Sequence, residues 1–412
     1  GLSSFGFGGT NAHVIIEEAE RVEGQEVLLA PAEPLYKRQP FPWRVVSSSR
    51  KADPSLYEVE WEALPVEGGP AAASVLVLGG DASLAAALKG VVKGDTSVLV
   101  VSHKPGQSSL GAAAKDGVRS ADLTSEAQIG ELLMLEAWSL VLLLSPVLSV
   151  ASSMALVRSA VSVDRAKKPA QLLFVSSGCS GQGGSEMSEA AVRQQGWLSG
   201  LVKTVGIEHS ELHVRVVDVE AGAESLTQRV CQLVSGAVGL PAGEVELVLR
   251  DGSLFVPRLV ASKVAVSEAA KAPVRADATY LITGGFGALG LVFAARLIEE
   301  GARNVVLLSR SGAGSASAEA ELAKLRGSGA RVEAVKCDVS DARSVRAMLS
   351  SVGKSLPPVR GVLHSAGVLD DATIENQSVD RFERVFGAKV GEGGCRLNVC
   401  ACAIHVYGWR GC

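Results

Sequence analysis

Three glycines spaced three residues apart are the residues of this 412-residue chain best suited to chemistry. Gly284, Gly287 and Gly290 follow an apolar run, Tyr280 to Thr283, and an apolar-periodic segment begins at Ala288. This order predicts a strand, a tight turn and a helix. In such a turn, glycines allow a conformation closed to other residues, close approach of a pyrophosphate, and close packing of helix on strand. The helix start offers N–H groups and a positive dipole end to phosphates, so the pattern predicts a dinucleotide site.

An arginine stands where folds of this kind read the ribose of the cofactor. Asn304 to Ser309 is typical of a second strand, and it ends in Arg310, about 20 residues past the glycines. An acidic residue there would accept a hydrogen bond from a free 2′-hydroxyl, whereas Arg310 after Ser309 suits a 2′-phosphate. The predicted cofactor is therefore NADPH rather than NADH.

Strands alternate with helical patterns through the rest of this region. Predicted strands at 331–336 and 360–363 are followed by polar motifs, and helical patterns lie at 316–326, 342–350 and 379–390. This alternation predicts an α/β fold with a parallel, doubly wound sheet. The candidate cofactor-binding residues are Thr283, Gly284, Gly285, Gly287, Ala288, Leu289, Gly290, Ser309, Arg310, Cys337, Asp338, Val339, His364, Ser365, Ala366 and Gly367.

Four motifs in one order carry a family resemblance: T-G-G-x-G-x-L-G, L-S-R, C-D-V and H-x-A-G-V-L-D-D. Together they resemble the ketoreductase domain of a type I polyketide synthase, a relative of the short-chain dehydrogenases. The resemblance implies NADPH-dependent reduction of a carrier-bound β-ketoacyl group to a β-hydroxyacyl group. Leu369, Asp370 and Asp371 match the fingerprint that accompanies the D-hydroxyl (B-type) product. Their alternative interpretation is a solvated acidic loop.

One lysine matches the ketoreductase pattern, but its catalytic partners are missing. In FERVFGAKVG, Lys389 matches the family lysine that lowers the pKa of the catalytic tyrosine and grips the ribose. The matching serine, tyrosine and asparagine should follow in the next strand and helix, and no such segment follows Gly391. The resemblance ends near Gly394, and the predicted active site is incomplete in this chain.

The amino-terminal residues resemble a different domain of the same enzymes. SSFGFGGTNAHV is similar to the carboxyl-terminal signature of a polyketide ketosynthase, in which His13 matches a catalytic histidine of a Cys-His-His site. The other two groups would lie upstream of Gly1, so we expect the chain to be a fragment. A proline-rich linker follows at 21–56, with no acyltransferase motif. The resemblance implies an acyltransferase acting in trans, a carrier domain bearing phosphopantetheine outside this chain, and homodimerisation through the missing ketosynthase.

The region before residue 273 resembles a degenerate copy of the strand, turn and helix that follow it. Val75 to Leu78, followed by Gly79-Gly80-Asp81, resembles the later strand and turn, and 172–178 echoes 361–367. Asp81 would place a negative charge where a pyrophosphate must sit, so the first copy is expected not to bind cofactor. It resembles the structural subdomain of polyketide ketoreductases, and His209 within it is interpreted as a packing or capping residue. The predicted domains are 1–20 (ketosynthase remnant), 21–56 (linker), 57–272 (structural), 273–394 (catalytic, truncated) and 395–412 (atypical tail).

Composition and charge give no indication of a nucleic-acid or membrane partner. A net charge of −4 favours neither nucleic acid nor anionic membrane as a partner. The uncharged stretch 137–157 is long enough to span a bilayer, but Pro146, its serines and its globular neighbours argue against a membrane helix. Three of the seven cysteines precede residue 395 without paired spacing, which indicates a reducing, cytoplasmic location.

The cysteine-rich tail offers a competing hypothesis of metal binding. Its candidate ligands are Cys395, Cys400, Cys402 and His405, but their spacing matches no usual zinc site, so we predict no metal. Two further interpretations of the whole chain stay open. It could be a non-catalytic remnant that binds NADPH or a partner synthase, or a free-standing short-chain dehydrogenase with a fused regulatory half. The motifs also resemble the ketoreductase of a fatty acid synthase, and the sequence separates these two families poorly.

Overall fold

The computed structural model describes residues 2–5, 11–14, 57–65, 68–69, 71–92, 96–112, 117–180, 189–236, 239–241, 243–262 and 274–389. It divides into two compact units, 1–51 and 52–412. In the first unit, strands β1 (Leu2–Phe5) and β2 (Asn11–Val14) pair antiparallel, with Ser3 opposite His13. The predicted linker, the boundary near 272 and the tail with its four candidate metal ligands lie outside the described residues.

The larger unit contains two sheets, the first with nine strands in the order β3-β11-β10-β9-β8-β7-β4-β5-β6. Its strands are β3 (Tyr57–Leu64), β4 (Ser74–Leu78), β5 (Ser97–His103), β6 (Val118–Ala121), β7 (Leu140–Leu144), β8 (Leu172–Ser177), β9 (Val214–Val219), β10 (Glu246–Arg250) and β11 (Ser253–Ala261). Its helices are α1 (Ala82–Val91), α2 (Glu126–Leu135), α3 (Val150–Ser162), α4 (Glu189–Gln195), α5 (Leu198–Glu208) and α6 (Ala223–Val234). Strands β4 to β10 pair in parallel, whereas β11 and β3 extend the edge as antiparallel strands.

Helices cover both faces of this sheet, as the near-continuous apolar runs of its central strands require. On β4, Leu76 and Leu78 join a core with helices α2, α3 and α5. Val75 and Val77 point to the other face and join a core with α1 and α6. This alternation along one strand produces two cores and a doubly wound architecture, which confirms the predicted fold class.

The pairing of β7 corrects one detail of the predicted duplication. Residues 172–178 were expected to match 361–367, but the strand beside β4 is β7, and β8 lies one place further out. β7 lies within the uncharged stretch 137–157, where an apolar run by itself does not distinguish a buried strand from a buried helix. That stretch is a buried strand, a 3-10 turn at Ser145–Val147 and most of α3. Among the residues that the structure describes, no helix is long and apolar enough to cross a membrane.

The second sheet has four parallel strands in the order β14-β13-β12-β15. The strands are β12 (Thr279–Thr283), β13 (Asn304–Ser309), β14 (Arg331–Lys336) and β15 (Val359–His364). The helices are α7 (Ala288–Glu299), α8 (Ala316–Gly327), α9 (Ala342–Ser355) and α10 (Val379–Lys389). Tyr280 and Ile282 pack toward α7 and α8, while Leu281 packs toward α9, so this sheet is also covered on both faces. The order places the crevice between β12 and β15 at the switch point of the sheet.

The larger unit has two halves: the first contains the nine-stranded sheet, within residues 57–262, and the second contains the four-stranded sheet, within residues 274–389. The segment after β15 joins these two halves. Ile374 is 2% exposed and lies in the core formed by α2, α3 and α5. Its N–H donates to Glu208 Oε2 at 2.8 Å, and Arg158 of α3 donates to its carbonyl at 3.3 Å. His209 caps the end of α5, with its N–H on the Val205 carbonyl, and its Nε2 lies 3.0 Å from Glu375. These contacts fix the entrance to α10 against the first half.

Aromatic packing holds α10 itself to the first half. The ring of Trp197, which precedes α5, lies with its centroid 6.2 Å from Phe382 and 6.4 Å from Phe386. The two phenylalanine rings are 5.7 Å apart in an edge-to-face arrangement. Such aromatic clusters contribute more than their buried area alone. The helix that carries Lys389 is therefore positioned by residues distant from it in sequence.

Candidate cofactor site

The glycines after β12 allow a turn that other residues could not form. Gly284 has φ +62°, and a Cβ built on it would lie 2.9 Å from the backbone N of Ala366. A Cβ on Gly285 would lie 2.7 Å from Cβ of Leu307, and one on Gly290 would lie 2.5 Å from the Gly284 carbonyl oxygen. The turn therefore packs directly against β13, β15 and its own helix, as the glycine spacing predicts.

Helix α7 begins without a side-chain cap. Its N-cap residue is Gly287, which has no side chain to accept from the first N–H groups of the helix. Uncapped N–H groups and the positive end of the helix dipole favour an anion such as a pyrophosphate. Gly287 lines the cavity described below. This end of α7 therefore suits the role predicted for it.

The degenerate copy in the first half has a different helix start. Helix α1 follows β4 as α7 follows β12, but its N-cap Asp81 accepts from the N–H of Leu84 at 2.9 Å. Hydrogen bonds from Ser83 and from Leu84 lower the pKa of this carboxyl group. Asp81 thus occupies the helix end with its own negative charge. The absence of a phosphate site in this copy stays a prediction.

The ends of β12 and β15 are joined by a network of short hydrogen bonds. The Thr283 hydroxyl accepts from the N–H of Ala366 at 3.1 Å and lies 2.8 Å from Nδ1 of His364. The Ser365 hydroxyl donates to the Thr283 carbonyl at 2.6 Å. Burial, followed by the charge of Lys389, holds the pKa of His364 below its usual value. These hydrogen bonds connect the carboxyl ends of the two strands at the switch point.

A cavity of about 550 Å³ opens at the carboxyl ends of this sheet. Of the residues predicted to bind cofactor, those lining it are Gly284, Gly287, Ser309, Arg310, Cys337, Asp338, Val339, Ser365, Ala366 and Gly367. The structure thus brings together one turn and the ends of three strands. Thr283, Gly285, Ala288, Leu289, Gly290 and His364 do not line the cavity. Thr283, Gly285, Gly290 and His364 support its wall, whereas Leu289 is 61% exposed on α7.

Charged groups of both signs face this cavity. Hydrogen bonds from the hydroxyl and the N–H of Ser340 lower the pKa of Asp338, and the charge of Arg310 lowers it further. Among the described residues, no carboxylate forms an ion pair with Arg310, so its guanidinium can bind a ligand phosphate. Burial raises the pKa of the Cys337 thiol, which is 1% exposed, and so disfavours its nucleophilic thiolate form.

Helix α10 supplies a wall of the cavity that was not predicted from the sequence. Glu383, Arg384, Gly387 and Ala388 line it, at the spacing of one helical face. The pattern FERVFGAKVG contains this signal, since these residues share one helical face, but the family resemblance identifies only Lys389 in it. Lys389 itself is exposed and does not line the cavity. Its Nζ would be 3.3 Å from a Cβ built on Gly367, which places it at the cavity's edge.

The two carboxylates of the loop after β15, Asp370 and Asp371, differ in burial. Asp370 is only 12% exposed and pairs with both Arg381 and Arg384 of α10. Asp371 and Leu369 are exposed, Leu369 at 88%. The interpretation of a solvated acid pair is therefore wrong for Asp370. The link to product stereochemistry stays a prediction.

Comparison with known proteins supports the resemblance to a polyketide synthase ketoreductase. Residues 278–403 match the family model of the KR domain, and this match continues past residue 394, where the sequence analysis places the end of the resemblance. The chain is 47% identical over 116 residues to the phenolphthiocerol synthesis polyketide synthase Pks15/1 of Mycobacterium marinum, covering 28% of this chain and 6% of that protein. It is 35% identical over 206 residues to 5-methyl-1-naphthoate synthase of Streptomyces sahachiroi, covering 47% and 11%. The chain thus spans a small part of these relatives.

Several solved structures with a similar architecture are described as ketoreductases. One described as A-type ketoreductases from a modular polyketide synthase matches at a TM-score of 0.62 and 25% identity, over 82% of this chain and 70% of that one. The first ketoreductase of the tylosin polyketide synthase matches at a TM-score of 0.59 and 25% identity, over 85% and 70%. An N-terminal ketoreductase from the macrolactin assembly line, at 19% identity and a TM-score of 0.67, shows the shared fold alone.

Proposed function

We propose that the second half of this chain binds NADPH as part of a polyketide synthase ketoreductase, which reduces a carrier-bound β-ketoacyl group to a β-hydroxyacyl group. The observation that supports this most strongly is the cavity that combines the uncapped start of α7 with the positive charge of Arg310. NADPH, when bound, supplies the hydride for such a reduction. The first half, with Asp81 across its helix start, serves as a structural subdomain.

Each lining group has a role that its chemistry supports. The N–H groups at the start of α7 bind the pyrophosphate, and Gly287 leaves room for it. Arg310 binds the 2′-phosphate by charge-assisted hydrogen bonds, with Ser309 beside it. Asp338, held as a carboxylate, accepts from the amino group of the adenine. Lys389 approaches the ribose from the edge of the cavity, next to Gly367.

We further propose that this chain by itself binds the cofactor without reducing a ketone. Reduction needs a proton donor beside the substrate carbonyl. The described tyrosines are Tyr57, on the edge strand β3, and Tyr280, which is 1% exposed inside β12 and accepts from the N–H of Arg275. Neither lines the cavity. This observation also favours the second candidate function, a non-catalytic NADPH-binding remnant.

Fluorescence titration of the chain with NADPH and with NADH tests the cofactor proposal. We expect Arg310→Ala to weaken NADPH binding about 10- to 100-fold, the loss of one charge-assisted phosphate contact, and to leave NADH binding unchanged. Arg303→Ala removes the same charge just before β13, at the opposite end of that strand, and is the control. The proposal would be contradicted if the unsubstituted chain bound the two nucleotides with equal affinity. It would also be contradicted if Arg310→Ala left the affinity for NADPH unchanged.

The remaining proposals concern the parent enzyme and rest on the resemblance. They comprise a D-hydroxyl product associated with Leu369, Asp370 and Asp371, and a ketosynthase origin for residues 1–20 with His13 as a catalytic histidine. They also comprise a carrier domain with phosphopantetheine, an acyltransferase in trans, homodimerisation through the ketosynthase, and a cytoplasmic location. Chiral analysis of the product of an enzyme that includes this region tests the first, since an L-hydroxyl product would refute it.

A further inference from the structure

Asp370 is a largely buried carboxylate near the candidate cofactor cavity, and it pairs with two arginines. One oxygen accepts from Nη1 of Arg381 at 2.6 Å, and the other pairs with Nη1 of Arg384. Its carbonyl accepts from the side chain of Gln377 at 3.3 Å. Both carboxylate oxygens are therefore used within the protein. A group held in this way is poorly suited to reach outward to a substrate.

Both arginine partners of Asp370 lie on the helix that walls the cavity. Arg381 and Arg384 are three residues apart, so they project from neighbouring positions on α10. Arg384 lines the cavity, as do Gly387 and Ala388 one turn later. The carboxylate thus connects the loop after β15 to the part of α10 that a nucleotide would contact.

We propose that Asp370 is a positioning residue for the cofactor, which holds Arg384 in the cavity wall through the paired arginines of α10. This inference rests on the proposed binding of NADPH. A guanidinium on a long side chain that is 60% exposed samples many rotamers unless a partner restrains it. With Asp370 in place, Arg384 is already arranged when the negatively charged nucleotide enters, so less conformational entropy is lost on binding.

A purely structural role for the ion pair gives a different expectation. In that case, loss of the pair would lower the stability of the chain but leave the affinity of the folded protein unchanged. A third possibility is that Asp370 withholds Arg384 from the nucleotide. Loss of the carboxylate would then tighten binding. The direction of the affinity change separates the three.

The test is fluorescence titration of the full chain with NADPH at a temperature where circular dichroism shows every variant folded. We expect Asp370→Asn to weaken binding about three- to tenfold, a range limited by the exposure of Arg384, and Asp370→Glu to restore part of the loss. Arg384→Gln should have a similar effect, and the double substitution should be no worse than either single one. Glu319→Gln removes an exposed carboxylate from the first turn of α8, a helix that does not line the cavity, and is the control.

Each outcome decides the matter. An affinity of Asp370→Asn within the error of the unsubstituted chain, tighter binding, or additive effects of the two substitutions would overturn the inference and leave the proposed function intact. Failure of the unsubstituted chain to bind NADPH would refute the proposed function, and this inference with it.

Discussion

Replacing Gly284 with alanine tests the turn at the centre of the candidate site. The residue has φ +62°, a conformation that costs an L-residue about 1 kcal/mol or more. The new Cβ would also lie 2.9 Å from two backbone atoms, the N of Ala366 and the carbonyl oxygen of Ser365. The N–H groups of Ser365 and Ala366 donate to Thr283, so this backbone cannot move aside easily. Overpacking of this kind costs about 1 to 3 kcal/mol. We therefore expect Gly284→Ala to destabilise the second sheet by about 2 to 5 kcal/mol.

Substitutions at two other glycines separate the cost of the positive φ from the cost of the steric overlap. Gly329 has φ +84° but open space at its Cβ position, so Gly329→Ala should show the conformational component alone. Gly353 lies in α9 with open space, and Gly353→Ala should be neutral or slightly stabilising. Amide hydrogen exchange on peptides from β12 and β13 measures the loss of protection. If Gly284→Ala loosened these strands no more than Gly329→Ala does, the packing argument would be refuted.

Two further predictions concern titratable groups. Asp81→Ala should destabilise the first half by about 1 kcal/mol, because α1 loses its N-cap hydrogen bond. Asp81→Asn can still accept this hydrogen bond and should lose less stability. Urea unfolding followed by circular dichroism compares the two variants. His364 has a lowered pKa because it is buried, so the folded chain disfavours its protonation and stability should decline as the pH falls below about 6.5. His364→Gln should flatten that decline in urea midpoints measured between pH 7.5 and pH 5.5, and an unchanged slope would contradict the assignment.

Local sequence determined the elements of the half that contains the candidate cofactor site. A turn with φ +62° and close backbone contacts requires glycine. Gly284, Gly285 and Gly290 therefore predict this turn without any information from the rest of the chain. Apolar runs that end in polar residues likewise mark buried parallel strands and the edge where ligands bind. The positions of Arg310 and Asp338 in the cavity follow from that rule, and both were predicted.

Only the tertiary structure decided which residues meet across long separations. The partners of Asp370 on α10, the burial of Ile374 in the core of the first half, and the packing of Trp197 on Phe382 depend on how the two sheets are placed. The assignment of β7 rather than β8 as the neighbour of β4 depends on strand pairing, which an apolar run does not encode by itself. Local patterns report the conformation of a few consecutive residues, whereas side-chain partners are set by contacts that form when the whole chain packs.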